Sequence, residues 1–273
     1  MTSTADRCRV FRGLHESGCF VLPNPWDVGS ARFLAQLGFP ALATTSSGFA
    51  WSQGHPDNGV SLDQMLLHLR AIAEAVTVPV NADFEGGFAV SPDMVGANVA
   101  QAASTGVAGI SIEDSTGDGV NPLFEFTLAV ERIKAAHHAI CESGTDVLLT
   151  ARSEGFLVGR ADLAETLRRL VAYADAGADC LYAPGLRMKG EILAVVNAVA
   201  PRPVNVLVGS DFATVAELRD LGVRRISVGG ALARTAWTGF LEAAKEIAER
   251  GTFTSLARAT PFAEINQLFD RES

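Results

Sequence analysis

Apolar and β-branched residues gather into eight short runs, at 19–24, 41–47, 78–83, 108–114, 146–152, 179–184, 203–208 and 224–230. Each has the length of a strand buried on both faces. Between them the apolar positions fall at three- and four-residue spacing, as in 91–106, 163–177 and 214–222, which is the period of an amphipathic helix. Gly38, Gly106, Gly177 and Gly222 each close a helical stretch just ahead of a strand, where a left-handed cap is needed. Strand–helix alternation eight times over implies parallel strands with right-handed crossovers. Closed on itself, this α/β pattern is a (β/α)8 TIM-type barrel. An open doubly wound sheet is the alternative, but no G-x-G-x-x-G follows the first strand.

The pattern predicts one domain over 1–273, with the barrel at about 19–250 and a helical tail at about 251–273. A barrel needs one helix after its last strand, and 232–251 supplies it. The tail adds Phe253, Phe262, Ile265, Leu268 and Phe269, more apolar surface than a solvated end carries. A second subunit is the expected cover.

In such a barrel the chemistry sits at the C-terminal strand ends. These ends carry Asn24 and Asp27, Thr45 to Gly48, Asp83 and Glu85, Glu113 and Asp114, Arg152 and Glu154, Tyr182, Asn205, then Gly229 and Gly230. Asp83 and Glu85, two apart at the end of an apolar run, repel unless something positive sits between them. Neighbouring strands lie about 5 Å apart, so Asp83, Glu85 and Glu113 can converge. A carboxylate cluster without His or Cys suits a hard cation, and Mg²⁺ fits best if waters complete an octahedron. The competing assignment is structural, with Asp83 as a helix cap or Arg partner and Glu85 in solvent. Arg152 ends an apolar run and offers a planar fork to a carboxylate or phosphate; its competing partners are Glu85 and Glu154. The turn at 44–49 offers backbone N–H groups to an anionic oxygen, with Gly48 permitting close approach.

Charge and cysteines narrow the class further. A formal charge of −9 argues against nucleic-acid and anionic-membrane partners but leaves room for a small anion held by one local Arg. Cys8, Cys19, Cys141 and Cys180 are scattered without a C-x-x-C pair, as in reduced core thiols of a cytoplasmic protein. No run reaches the ~20 apolar residues of a membrane span, and the N-terminus lacks a signal-type apolar core. His137 and His138 fall on a helical face turned to solvent, and His55 lies in a polar loop.

Taken in order, TTSSGFAWSQGHPD (44–57), NADFEGGF (81–88), SIED (111–114) and TARSE (150–154) resemble the isocitrate lyase/phosphoenolpyruvate mutase superfamily, over about 22–230. The resemblance implies (β/α)8 subunits assembled as dimers or tetramers, with the last helix exchanged between paired copies. It implies Mg²⁺, with Mn²⁺ as the alternative ion, held mostly through waters by Asp57, Asp83, Glu85 and Glu113. Arg152 is implied to hold a substrate carboxylate, and the Ser46–Ser47–Gly48 backbone its carbonyl or carboxylate end; Asn205 completes the expected substrate contacts. The shared chemistry breaks a C–C or C–P bond beside a 2-oxo acid through a pyruvate enolate.

One departure matters most. Isocitrate-type lyases carry a K-[KR]-C-G-H loop after strand four whose Cys supplies a proton, whereas the stretch STGDGVNPLFEF (115–126) has no Cys, Lys or His. The mutases and phosphonopyruvate hydrolases carry Lys and Asn or Thr there. Asn121 stands at the Asn spacing, eight residues past Glu113, but Val120 replaces the Lys. Oxaloacetate decarboxylases of the superfamily also lack the Cys loop, because loss of CO₂ requires no general base. The expected protein is thus a Mg²⁺-dependent lyase on a small 2-oxo dicarboxylate, best matched to oxaloacetate, with Arg152, Asn121 and Tyr182 as catalytic residues and Tyr182 as proton donor. Phosphonopyruvate chemistry, cleavage of a substituted malate, and a non-catalytic 2-oxo acid binder are the alternatives.

Overall fold

The computed structural model describes residues 3–270; Met1, Thr2 and the last three residues of the tail lie outside the described residues. All eight expected strands form, as β1 (Phe20–Leu22), β2 (Leu42–Ala43), β3 (Val80–Asp83), β4 (Gly109–Glu113), β5 (Leu148–Arg152), β6 (Cys180–Tyr182), β7 (Val204–Leu207) and β8 (Arg225–Ser227). They pair in parallel in the order β1-β8-β7-β6-β5-β4-β3-β2. The remaining gap is bridged where Ala43 N–H donates to the Pro23 carbonyl at 3.0 Å. The buried Asn24 side chain adds to the closure: Nδ2 donates to the Thr44 carbonyl at 2.9 Å, while Oδ1 accepts from Val228 and Gly229 N–H at 2.9 and 2.8 Å. The result is a nearly closed (β/α)8 barrel.

Helix α1 (Thr4–Glu16) precedes the barrel and buries Cys8, Phe11 and His15. Phe11 packs edge-on against Phe20 of β1, with centroids 6.4 Å apart, and a Cβ at Gly109 would meet the same ring at 2.6 Å. The connecting helices are α2 (Val28–Gln36), α3 (Ser46–Ser52), α4 (Leu62–Ala75), α5 (Pro92–Ala103), α6 (Phe126–Glu142), α7 (Leu163–Asp175), α8 (Lys189–Val199) and α9 (Val215–Asp220). Their starts follow side-chain capping: Asp27, Ser61 and Thr214 make capping boxes, while Ser91 precedes Pro92 at the first helical turn. The four cap glycines foreseen from the pattern all have positive φ, from 85° to 105°. At Gly177 an added Cβ would also lie 2.5 Å from the His137 ring, so no other residue fits.

Two features depart from the sequence reading. The 44–49 turn is not an open loop: Thr45 caps α3, which begins at Ser46. And α10 (Ala231–Arg250), the expected last barrel helix, buries Ala233 alone. Its apolar face, with Leu232, Phe240, Leu241 and Ile247, stays exposed. Beyond it, a 3₁₀ turn at Thr254–Arg258 leads to α11 (Phe262–Phe269), which lies against α2 through a hydrogen bond from Gln36 Nε2 to the Leu268 carbonyl at 2.7 Å.

Candidate functional site

A cavity of about 330 Å³ opens at the C-terminal strand ends. Alternation along each strand sends every second side chain into it: Asn81 and Asp83 from β3, Ser111 and Glu113 from β4, Arg152 and then Glu154 from β5, Tyr182, Asn205, and Arg225 and Ser227 from β8. Ser46, Ser47 and Asp57 reach it from the segment after β2.

Arg152 is the hub. Its Nη1 donates to Asp83 Oδ1 at 2.6 Å, Nη2 lies 3.1 Å from Glu113 Oε2, and Nε donates to Glu154 Oε1 at 3.0 Å. The guanidinium also sits 5.1 Å from the centre of the Tyr182 ring. Burial works against the Arg152 charge, but Glu154, Glu113 and Asp83 outweigh it and raise its pKa. Burial raises Glu113 and Glu154 against the opposing pull of Arg152. Both competing assignments made from sequence are thus partly present: Arg152 does pair with Glu154, and Asp83 does meet a helix start. Asp83 Oδ2 accepts the Ser46 N–H and hydroxyl at 2.9 and 3.0 Å, so the Ser46 groups foreseen for substrate are engaged by an acid.

Glu85 is held differently. It is buried beside Asp83, and its Oε1 has no hydrogen-bond partner. Burial, and then the charges of Asp83 and Asp57, push its carboxyl up to about 8. Its backbone has φ of 48°, followed by Gly87 at 75° and Phe88 at 56°. Such left-handed backbone at two non-Gly residues costs of order 1–3 kcal/mol each and persists only where the surroundings impose it. Arg132, itself buried, imposes it by donating to the carbonyls of Gly86, Ala89 and Val90 while stacking on Phe124. Asp57 stands on the exposed rim, with its pKa raised by partial burial and by Asp83.

Other expected residues are placed apart from this centre. Gly48 does not reach the cavity; a Cβ there would strike Thr45, Trp26 and Ala233 at 2.7, 2.9 and 3.1 Å, so packing beneath α3 explains it. Asn121 lies on a short hairpin closed by a Ser115–Leu123 bridge and lines a separate hollow of about 540 Å³ beside α7, with Arg160 and Arg169. Tyr182 does line the cavity, and burial, opposed by Arg152, pushes its phenol up to about 12. Asn205 is present too, but both ends of its amide are engaged, by Ser227 Oγ and Arg225 Nε, each at 2.9 Å. Asp114, also at a strand end, is structural: it accepts from Glu154 N–H at 2.8 Å, Tyr173 Oη at 2.6 Å and Arg169 Nη1 at 3.1 Å. Reading by strand ends missed Asn81, Ser111, Arg225 and Ser227, which step back by twos from the recognised positions.

A barrel mouth with an acid pair after β3, an acid ending β4 and an Arg ending β5 invites comparison with known proteins. The Phosphoenolpyruvate phosphomutase family profile matches residues 11–248. The chain belongs to that family. As a member of the phosphoenolpyruvate phosphomutase family it stands among lyases and mutases. It is 35% identical over 266 residues to an uncharacterized protein of Mycobacterium tuberculosis, covering 96% of this chain and 97% of that one. A solved structure from Burkholderia cenocepacia, described as a lyase/mutase, is 48% identical with a TM-score of 0.94, covering 98% of each chain. The oxaloacetate decarboxylase of Bradyrhizobium diazoefficiens is 27% identical over 188 residues, 66% of this chain and 64% of that protein.

Among the described residues no helix is long and apolar enough to cross a membrane.

Proposed function

We propose that this family member is a Mg²⁺-dependent carbon–carbon lyase acting on a small 2-oxo dicarboxylate, with oxaloacetate decarboxylation as its reaction. The observation that carries the reading is the surplus of carboxylates around Arg152. Asp83, Glu113 and Glu154 share its one guanidinium, Asp57 stands nearby on the rim, and Glu85 keeps a buried oxygen without a partner.

An all-oxygen donor set with surplus negative charge fits a hard divalent cation. Among the described residues no three acidic, His or Cys side chains converge closely enough to enclose an ion by themselves. A cation that keeps several waters, as Mg²⁺ does, matches that looser set. Asp57, Asp83, Glu85 and Glu113 are the residues that would hold it. Once bound, it supplies Lewis-acid polarisation of the 2-oxo group.

The chain's own groups supply the rest. Arg152 binds a substrate carboxylate by trading one of its acid partners for it, which keeps the guanidinium fork satisfied. Loss of CO₂ leaves the bonding electrons on the remaining fragment and needs no general base, consistent with a 115–126 loop that lacks Cys, Lys and His. The Tyr182 phenol, protonated at neutral pH, returns a proton from its Oη. The oxaloacetate decarboxylase among the relatives supports this substrate. Val120, exposed where a mutase Lys would stand, speaks against a dianionic phosphonate. The exposed apolar face of α10 supports self-association as a homo-oligomer.

The test is pyruvate release from oxaloacetate and from phosphonopyruvate, with Mg²⁺ and with excess chelator, beside the Asp83→Asn protein. Metal-dependent turnover of oxaloacetate that the variant loses supports the reading. Phosphonopyruvate turnover moves the protein to C–P chemistry, and inactivity on both leaves a substituted-malate lyase or a 2-oxo acid binder.

A further inference from the structure

Below the acid cluster the cavity floor carries a second guanidinium. Arg225 of β8 is 2% exposed, lines the cavity, and makes no salt bridge among the described residues. The interior of a (β/α)8 barrel is ordinarily filled by branched apolar side chains. Here the floor is polar: Asn81, Ser111, Asn205, Ser227 and Arg225.

The other buried arginines are compensated. Arg152 faces three carboxylates, Arg169 meets Asp114 and Glu165, and Arg132 meets three backbone carbonyls. Arg225 has one close acceptor, Asn205 Oδ1 at 2.9 Å from Nε, and two long ones at 3.4 Å from Nη1, namely Asn81 Oδ1 and His15 Nε2. Nη2 makes no hydrogen bond to the described residues. Each of these partners is neutral. His15 cannot even become an anion, and burial together with Arg225 pushes its pKa down to about 3, so it stays uncharged with Nδ1 against the Phe11 carbonyl at 2.7 Å. A buried charge without a counter-ion is unfavourable, and an anion delivered through the cavity would remove that cost.

We propose that Arg225, through Nη2 and the weakly held Nη1, forms an oxyanion-binding subsite at the cavity floor that takes a carboxylate-sized planar anion, while the Asn81 and Asn205 amide oxygens hold the guanidinium in place. The site goes beyond the metal-dependent reading, since it needs neither the cation nor turnover. Its occupant is either the far carboxylate of a substrate whose other end meets Arg152, or a free small anion. A subsite of this kind favours substrates with two separated carboxylates over monocarboxylates.

The experiment is a thermal-unfolding titration of the full chain in excess chelator at constant ionic strength, with acetate, nitrate and malonate as probes. The wild-type midpoint should rise saturably with anion. A response to acetate and nitrate marks a site for free small anions, and a response to malonate alone marks a substrate carboxylate. Arg225→Met should abolish the response. Asn205→Asp is the decisive variant, because it places a built-in carboxylate on Arg225 while the Ser227 hydroxyl can turn to donate to it. That protein should melt higher without anion and respond at least tenfold more weakly. A wild-type protein with no anion response, or an Asn205→Asp response equal to wild type, overturns the proposal. Because no metal is present, neither result bears on whether oxaloacetate is turned over.

Discussion

Arg152 Nη1 lies 2.6 Å from Asp83 Oδ1, while Asp83 Oδ2 takes the Ser46 N–H and hydroxyl at 2.9 and 3.0 Å. One carboxylate therefore ties the end of β3 to the end of β5 and to the start of α3. Asp83→Asn keeps the shape and one acceptor but removes the charge. Arg152 retains Glu113 and Glu154, so the loss in stability should stay at about 2 kcal/mol. Turnover should fall by at least ~100-fold, because the cation and the substrate carboxylate both depend on this charge balance. Near-normal kcat/KM in this variant would remove the acid cluster from the mechanism.

Strain at Glu85 makes stability and activity separable. Glu85→Gly relieves a φ of 48° and removes a buried carboxyl oxygen without a partner. Unfolding should become harder by about 1 kcal/mol, a rise in Tm of roughly 2–4 °C for a chain of this size, while activity is lost. Equal or lower Tm in the variant would show that the turn is not strained.

Arg132 reaches the site only through the backbone. Its guanidinium holds the carbonyls of Gly86, Ala89 and Val90, and nothing in the cavity. Arg132→Met leaves those carbonyls unmatched and should cost about 3 kcal/mol or more. The variant should also need more Mg²⁺ for half-maximal rate, since Glu85 loses its fixed position. An unchanged metal dependence in a destabilised protein would confine Arg132 to a structural role.

Two buried histidines set an acid limit. Burial lowers His68 to about 4 and, with Arg225, lowers His15 to about 3, from 6.5 in the unfolded chain. The folded state keeps both neutral, so the unfolded state binds protons first as pH falls. Stability is therefore full above pH 6.5 and declines from there toward pH 4 for His68 and pH 3 for His15. The full loss is about 3 kcal/mol for His68 and about 5 kcal/mol for His15. His68 stacks on Phe49 at 3.9 Å and leaves Nε2 without a partner, so His68→Leu is tolerable in shape. Denaturant unfolding at pH 7 and pH 5 should show a smaller stability drop in that variant than in wild type; an identical drop would refute the assignment.

The exposed face of α10 predicts self-association. Phe240 and Leu241 are 60% and 44% exposed on a helix that buries a single residue. Light scattering should find a dimer or tetramer, and Phe240→Asp with Leu241→Asp should shift the mass to that of one chain. A wild-type monomer at micromolar concentration would contradict this.

The eight strands were legible because short apolar runs and the period-3.6 pattern between them are local properties of the chain, and so were the cap glycines, whose positive φ only Gly adopts freely. Asp83, Glu113 and Arg152 were legible for the same reason: a charge ending an apolar run stands out without knowledge of its neighbours. What the tertiary structure alone decided is who meets whom. Sequence could not say that Asp83 is shared between Arg152 and Ser46, that the strained turn at Glu85 is held by Arg132, or that Asn121 falls in a neighbouring hollow. Gly48 looked like a place for a ligand and proved to be a place for packing, because two of the three side chains that crowd it, Trp26 and Ala233, are distant in the chain. Arg225 stayed hidden in a basic pair at 224–225, since only closure of the barrel turns one of the two outward and the other onto the cavity floor. Pattern is carried by neighbours in sequence, whereas compensation of charge is carried by neighbours in space.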